Sequence, residues 1–342
     1  MSLEIRELGP EWDTRWDALA GQTFESGFMQ SSAWATFKRA EGYEPLRYGL
    51  FEEDEEEDAL VGGASLLTYS AQGSEGFILC PEGPILPWSD PAKSREGLRL
   101  LARTVEQQAE KRGGLGLRIE PHLPPPRPSL IRNWTRAPVD LNPIHSLMLD
   151  LTLTEEEFRA QMRPKGRYNL GLSQRHGVTV TRSRTMHDLT RFYPLFEETA
   201  QRQSFFAEPL GFFLNLGAAL FPTGQAELFF AEWQGQTLAA VLVILFGRRA
   251  TYLYGGSAPQ HRNVMPTYAL HWEVMQAARA HGCVEYDLYG YDPFGLPNHL
   301  YAGFSKFKLQ FGGKRVDNMG AFDLLFYDRL AASLVERLAA PK

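Results

Sequence analysis

TYLYGGSAPQHRNVMPTYALHWEVMQAARAHGCVEYDLYG, residues 251–290, contains a strand, a loop, a helix and a second strand in direct succession. TYLYGGS (251–257) is rich in β-branched and aromatic residues and is cut off by the loop APQHRNVM (258–265). Pro266 then stands where a helix can begin, since its fixed φ suits the first turn and its missing N–H would be unbonded there. Leu270, Val274, Ala277 and Ala278 recur at helical spacing, and Gly282 supplies the stop. CVEYDLYG (283–290) reads as the closing strand.

Two more strands precede this stretch. ELFFAEW (227–233) and TLAAVLVILFG (237–247) flank the turn Gln234-Gly235-Gln236. The same script runs earlier in the chain. LRYGLFE (46–52), the acidic run Glu52 to Asp58 read as a solvated hairpin loop, ALVGGASLLTYS (59–70) and GFILC (76–80) give three strands. PEGPILPWSD (81–90) leads into a helix at 91–112, with Asp90-Pro91 as start and Gly113-Gly114 as stop, and GLGLRIEP (114–121) closes the set. Matching landmarks are offset by 181, 174 and 168 residues (46 to 227, 77 to 251, 115 to 283), so one α/β (α+β) unit is used twice with small insertions and deletions.

This element order resembles the core of the Gcn5-related N-acetyltransferase (GNAT) fold. In that fold the loop and helix start after the fourth strand hold a pyrophosphate through glycine-rich backbone and free N–H groups. Neither PEGPILPWSD nor SAPQHRNVMPTY carries an Arg-x-x-Gly-x-Gly cradle. The scaffold therefore resembles an acyltransferase without the usual coenzyme A site.

Five segments, FMQSSAWATFKRAEGYEP (28–45), MRPKGRYNLGLSQRHGVTV (162–180), residues 252–282, YDLYG (286–290) and GFSKFKLQFGG (303–313), resemble the Fem family of peptidoglycan-bridge aminoacyltransferases, in the family's order and over nearly the whole chain. The resemblance implies two tandem acetyltransferase-like domains without a helical arm. The first would span 1–146 plus 318–342, completed by a C-terminal helix at about 320–338, and would face the muropeptide precursor. The second, 147–317, would face the aminoacyl-tRNA. It implies transfer of an amino acid from aminoacyl-tRNA to an amino group of a UDP- or lipid-linked stem peptide. No cofactor or metal would be needed, the charged tRNA being a co-substrate. The chain departs from the family at Pro81-Glu82-Gly83-Pro84, where a basic residue commonly precedes the Gly-Pro. The alternative on the same fold is an acyl-CoA-dependent N-acyltransferase acting on an envelope sugar or peptide amine; a non-catalytic RNA- or envelope-binding protein is a third reading.

Within this frame Lys308 is the candidate catalytic residue. Phe304, Lys306 and Lys308 alternate with Ser305, Phe307 and Leu309, which predicts a strand. The resemblance puts Lys308 in the tRNA-facing channel, with Phe307 beside the substrate. A cation there would stabilise the oxyanion formed when an amine attacks an ester. It would also depress the amine's pKa, which otherwise leaves roughly 4–5 kcal/mol of missing nucleophile at neutral pH. The resemblance implies that Lys38 and Arg202 contact the precursor's diphosphate, for which a lysine point charge and an arginine fork are suited. Tyr252 and Tyr254 flank Leu253, which predicts one shared strand face and stacking or hydrogen bonding to substrate. Each of these also has an ordinary structural explanation: a solvated lysine or arginine, or a core tyrosine with a satisfied hydroxyl. His271 reads as a packed helix residue, and Asp287 as a strand-end group or an orienter of an amine.

No acid occurs from Phe158 to His187, a stretch holding Arg159, Arg163, Lys165, Arg167, Arg175, Arg182 and Arg184. In a chain of net charge −6 this is a local reversal of sign, suited to tRNA phosphates or simply to a solvated face. Arg163, Lys165, Arg167 and, in the loop at 258–265, Arg262 are the tRNA-binding candidates. At 342 residues, with 44% hydrophobic and 22% charged residues, the chain has the size of about two globular domains. Cys80 and Cys283 lie far apart in apolar runs and read as buried free thiols of a reducing compartment. No transmembrane span or signal peptide is evident, so a cytoplasmic location is expected. Peripheral membrane association through a lipid-linked substrate is compatible with that. Walker, zincin, dinucleotide and triad signatures are missing from the sequence.

Overall fold

The computed structural model describes residues 3–53, 59–69, 76–112, 114–296, 298–299 and 301–326. Residues 54–58 of the acidic run lie outside the described residues. The chain runs β1 (Leu3–Glu7), α1 (Asp13–Gln22), α2 (Ser32–Ala40), β2 (Tyr43–Glu52), β3 (Ala59–Tyr69), β4 (Phe77–Pro81), α3 (Pro91–Arg112), β5 (Gly116–Glu120) and β6 (Thr135–Arg136). It continues as β7 (His145–Asp150), α4 (Glu155–Gln161), α5 (Pro164–Arg175), β8 (Thr179–Ser183), α6 (Met186–Gln203), α7 (Leu210–Leu220) and β9 (Ala226–Trp233). The remaining elements are β10 (Gln236–Phe246), β11 (Arg249–Ser257), α8 (Pro266–His281), β12 (Glu285–Asp287), α9 (Ala302–Lys308), β13 (Lys314–Asp317) and β14 (Phe322–Leu325).

Two compact units result, residues 1–144 with 318–342, and residues 145–317. Each is built on a seven-stranded sheet, ordered β1-β2-β3-β4-β5-β14-β6 in the first and β13-β7-β12-β11-β10-β9-β8 in the second. The duplication read from sequence is visible in the pairing. β2, β3 and β4 form an antiparallel meander, and β5 returns through α3 to lie parallel to β4. β9, β10 and β11 repeat the meander, and β12 returns through α8 to lie parallel to β11. Parallel neighbours require such a crossover.

The helix between the parallel strands carries much of each core. Leu98, Leu101 and Val105 of α3 pack with Leu50, Leu66 and Ile119 or their neighbours in the first unit, all nearly inaccessible to solvent. Leu270, Val274 and Ala278 of α8 pack with Val241, Leu245 and Tyr286 in the second. α8 starts at Pro266 and ends at Gly282, whose φ of 97° is the left-handed conformation that glycine adopts without a Cβ clash. Cys80 and Cys283 are buried free thiols.

Three expectations are corrected. The segment after residue 318 is not helical at 320–326. Phe322–Leu325 joins β5 as a strand, because β5 would otherwise present an unpaired edge, while 327–338 lie outside the described residues. Residues 303–309 are not a strand. Phe304, Phe307, Lys308 and Phe311 also fit the helical spacing i, i+3, i+4, i+7, and α9 ends at Lys308 with a 3-10 turn over Leu309–Phe311. Finally, Tyr252 and Tyr254 do not share a face. The β10–β11 register pairs Leu242 with Tyr254 and Val243 with Tyr252, leaving Leu253 as an extra residue that makes a β-bulge. Tyr252 therefore meets His271 of α8, and Tyr254 meets Phe196, Phe212 and Phe213 of α6 and α7.

Candidate functional site

The second unit has a fork. β11 and β12 pair only from Arg249–Thr251 to Glu285–Asp287, and beyond that point they part. Asp287 pins the start of the divergence: it accepts from the Ser146 hydroxyl and from Tyr289 N, the latter at 2.7 Å. Tyr289 turns at φ 55°, and the carbonyls of Tyr289 and Gly290 accept from Lys308 Nζ at 2.6 and 2.7 Å. A lysine from α9 thus supplies donors where a strand neighbour has been lost, and one of its three N–H groups has no partner among the described residues. α9 is fixed by Ser305, which accepts from Asp292 N and donates to Tyr301 O, and by Phe307 and Phe311 against Tyr268 and His271.

Lys308 is 5% exposed, with the rings of Tyr252, Tyr301 and Phe304 at 5.5, 5.7 and 6.0 Å from Nζ. Burial brings its pKa down to about 7, with the Asp287 charge pulling the other way. At neutral pH this side chain is poised between ammonium and amine. His271 is buried beside it with Nδ1 2.8 Å from the Tyr286 hydroxyl. Burial, and then the charge of Lys308, hold His271 down to about 3, so the imidazole is neutral. It is a packed helix residue with a satisfied partner. Asp287 likewise serves the strand end.

Next to Lys308 lies a pocket of about 280 Å³. Its walls come from α6 (Thr199, Arg202, Gln203), β11 (Tyr252, Gly255, Gly256, Ser257), the following loop (Arg262), α8 (Pro266, Thr267, Leu270, His271) and α9 (Gly303, Phe304, Phe307). Gly256 is required by close approach: a Cβ there would collide with the backbone of Leu195 and Phe196 in α6. Arg202 Nη2 donates to Ser257 O and Thr199 Oγ1, both at 3.0 Å. Its Nε and Nη1 are buried without a hydrogen-bond partner among the described residues. Burial, and then the Arg262 charge, depress Arg202 from the usual arginine range. Two guanidiniums crowded into one pocket, one of them incompletely bonded, are an arrangement that an anion would relieve.

A second, open groove of about 450 Å³ is lined by Arg163, Lys165, Tyr268, Gly303, Lys306, Phe307, Leu309 and Gln310. Gly303 and Phe307 line both spaces, so the groove and the pocket adjoin. The structure thus gathers Arg202, Tyr252, Arg262 and Phe307 around one pocket, sets Lys308 behind it, and puts Arg163 and Lys165 on the adjoining groove. Tyr254 belongs to the packing between β11, α6 and α7. Lys38 belongs to the first unit, on α2, half-buried with Nζ 4.6 Å from the Tyr43 ring and 5.3 Å from that of Phe37. Glu82, where the resemblance leads one to expect a basic residue, is 1% exposed and accepts from Met29 N at 2.7 Å with His122 Nε2 3.4 Å away. It ties two segments of the first unit together.

The basic run from 158 to 187 is partly neutralised by acids from elsewhere in sequence. Arg159 pairs with Glu155, and Arg182 and Arg184 share Glu227. Arg167 donates to the carbonyls of Ala160 and Met162 at the end of α4. Arg163, Lys165 and Arg175 remain exposed. Reading the sequence did not single out Thr199, Ser257 or Lys306. Only the Gly255-Gly256 pair, as a sign of close backbone approach, carried a hint of the first two. Among the described residues no group of three or more His, Cys, Asp or Glu stands together to hold a metal, and no helix is long and apolar enough to cross a membrane.

A meander, a crossover helix and a parallel return strand, built twice, with a fork and a pocket beside it in the second unit, define the tandem GNAT fold. Residues 157–297 match the acetyltransferase (GNAT) domain family. The chain is 21% identical to the lipid II:glycine glycyltransferase of Staphylococcus saprophyticus, over 91% of each chain. It is 23% identical to the UDP-N-acetylmuramoylpentapeptide-lysine N(6)-alanyltransferase of Weissella viridescens, over 85% of this chain and 88% of that one. The crystal structure of FemX superposes with a TM-score of 0.85 at 18% identity, covering 97% of this chain and 99% of that one. A tandem GNAT protein of the clavulanic acid pathway superposes at 0.55, with 12% identity and 95% and 98% coverage. The chain thus resembles the Fem family over nearly its whole length, and it is a transferase of the acyltransferase type.

Proposed function

We propose that the protein transfers an amino acid from aminoacyl-tRNA to an amino group of a nucleotide- or lipid-linked peptidoglycan stem peptide. The observation that carries this reading is Lys308, buried at the fork of β11 and β12 with two donors on the Tyr289 and Gly290 carbonyls and a pocket alongside. In the reaction, the acceptor amine attacks the ester carbonyl of the charged tRNA. The carbonyl oxygen gains negative charge, the amide bond forms, and the tRNA ribose hydroxyl leaves with a proton from the amine. Lys308 in its ammonium form opposes the charge on that oxygen, in a site dry enough to make the interaction strong. The ester supplies the activation, so alignment and charge stabilisation suffice, and neither a cofactor nor a metal is needed.

Arg163, Lys165 and Lys306 on the adjoining groove suit phosphates of the charged RNA. Arg202 and Arg262 suit an anionic group in the pocket, and Lys38 a second one on the first unit. The likeness to relatives named for glycyl transfer to lipid II and alanyl transfer to a muramoylpentapeptide supports the acceptor class. The test is to mix purified protein, charged tRNA and UDP- or lipid-linked precursor and look for a precursor extended by one amino acid. No transfer from glycyl-, alanyl- or seryl-tRNA to either form of precursor would reject the reading.

One observation favours acyl-CoA as an alternative donor. α8 begins at the pocket with no side-chain cap, and Arg202 and Arg262 lie beside it, a setting in which a pyrophosphate could bind. Thermal stabilisation by acyl-CoA but not by aminoacyl-tRNA would select that donor.

A further inference from the structure

The second unit carries a feature that neither the pocket nor the groove uses. From Arg262 at the pocket rim, a continuous series of contacts leads away over the surface. His261, exposed in the left-handed conformation, packs its ring 5.0 Å from that of Trp233 at the end of β9. Trp233 Nε1 donates to the carbonyl of His176 at 3.0 Å, just past α5. Arg175 precedes it, with its guanidinium 5.8 Å from the ring of Tyr168, which is 62% exposed on the same helix. Three protein segments distant in sequence, the end of α5, the β9–β10 turn and the β11–α8 loop, thus build one strip of aromatic and basic groups. Along α5 alone it extends about 10 Å, at 1.5 Å per residue.

Its chemistry is selective. A solvated face would carry both signs of charge, whereas the chain from 158 to 187 has no acid, and the carboxylate next in sequence to Trp233, Glu232, is held by Arg191 at 2.9 Å. A protein-core remnant would be aliphatic, whereas this strip holds the rings of Tyr168, Trp233 and His261 with the Arg175 guanidinium between the first two and Arg262 at its pocket end. Flat rings with a cation between them and another at one end match a strand of unpaired nucleotides, whose bases offer π-faces and whose phosphates offer charge. A fully paired duplex hides its base faces and would need the cations only.

We infer that the strip formed by Tyr168, Arg175, Trp233 and His261 is a binding surface for the unpaired nucleotides of an RNA 3′ end, continuing from the pocket at Arg262. It rests on the reading that the donor is borne by RNA, and deepens it by naming the part of the RNA that is held. Trp233 and His261 receive the base nearest the pocket, Tyr168 one further out, and Arg175 a phosphate between them. The enzyme would then recognise its donor by a single-stranded tail as well as by backbone charge.

The experiment measures binding of the full chain to a labelled RNA hairpin bearing a short unpaired 3′ tail and to the same hairpin made blunt. Trp233→Ala and Tyr168→Ala are each expected to weaken the tailed RNA roughly fivefold or more and to leave the blunt RNA unchanged. Trp233→Phe, which keeps a ring and loses the bond to His176, should retain most of the tail preference. Arg175→Ala should weaken the tailed RNA more than the blunt one and flatten the salt dependence of tailed-RNA binding by about one charge. Should Trp233→Ala fail to fold, the exposed Tyr168→Ala carries the same comparison. Unchanged binding of the tailed RNA, or equal loss on tailed and blunt RNA, overturns the strip. Transfer from charged tRNA by the unaltered enzyme separates the two ideas. If it proceeds while these variants bind normally, only the strip is wrong; if it does not proceed, the donor reading falls and the strip with it.

Discussion

Lys308 does two jobs that can be separated by measurement. It satisfies two buried carbonyls and, on the proposed mechanism, opposes an oxyanion. Lys308→Met should lower the transfer rate by roughly 10²–10³-fold, the scale of losing one preorganised charge donor. The same change strands the carbonyls of Tyr289 and Gly290, at about 1–3 kcal/mol each, so the variant should also melt earlier. A loss of melting temperature with an unchanged rate constant would leave Lys308 as a structural clasp only. Arg202 makes a different claim. Because its Nε and Nη1 lack hydrogen-bond partners among the described residues and Arg262 stands near, inorganic pyrophosphate should raise the melting temperature of the wild type and not of Arg202→Met. Equal shifts in both would place the anion elsewhere. The residue type and position of Lys308 could be read from Phe-Lys-x-x-Phe-Gly-Gly, but its carbonyl partners could not, since they lie 18 and 19 positions away and meet it only through the fork.

At the scale of elements, one extra residue redirects a strand. The bulge at Leu253 sends Tyr252 to α8 and Tyr254 to α6 and α7, which makes one tyrosine a pocket wall and the other a packing residue. Strict alternation, the only rule available to a linear reading, puts them together, because a bulge is set by pairing with β10 and leaves no mark in the sequence. Similarly, the alternation in residues 304–309 and its helical spacing are both present, and packing of Phe307 and Phe311 on Tyr268 selects the helix. The close approach of β11 to α6 gives a direct test. Gly256→Ala should destabilise the protein by about 1–3 kcal/mol, as overpacking does, measured by chemical denaturation with the slope unchanged. A neutral effect would mean that α6 yields easily and that the pocket wall is soft.

For the molecule as a whole, the two units should respond to pH in opposite directions. Glu120, in the first unit, accepts from Leu141 N, Asn142 N and Asn142 Nδ2. Burial nevertheless raises its pKa from 4.5 to about 7. The folded first unit therefore holds a proton that the unfolded chain releases, and the stability this confers is lost as the pH climbs from about 5 to 7. Lys308, lowered from 10.5 to about 7, makes the folded second unit release a proton that the unfolded chain keeps, so its stability gains as the pH climbs from about 7 to 10. Hydrogen exchange resolved by segment should show protection falling in β5 over the lower window and rising in α9 over the upper one. Parallel trends in both segments would contradict these assignments. The sequence by itself determined the duplication, the order of strands and crossover helices, the limits of α3 and α8, and the cluster of lysines and phenylalanines near 308, because periodicity, caps and spacing are local properties of the chain. The tertiary structure alone decided the faces of Tyr252 and Tyr254, the helical state of residues 302–308, the pairing of Phe322–Leu325 with β5, and the meeting of Arg202, Arg262 and Lys308 at one fork. Those depend on which distant segments pair and where two parallel strands part, and a free energy of pairing belongs to both partners at once.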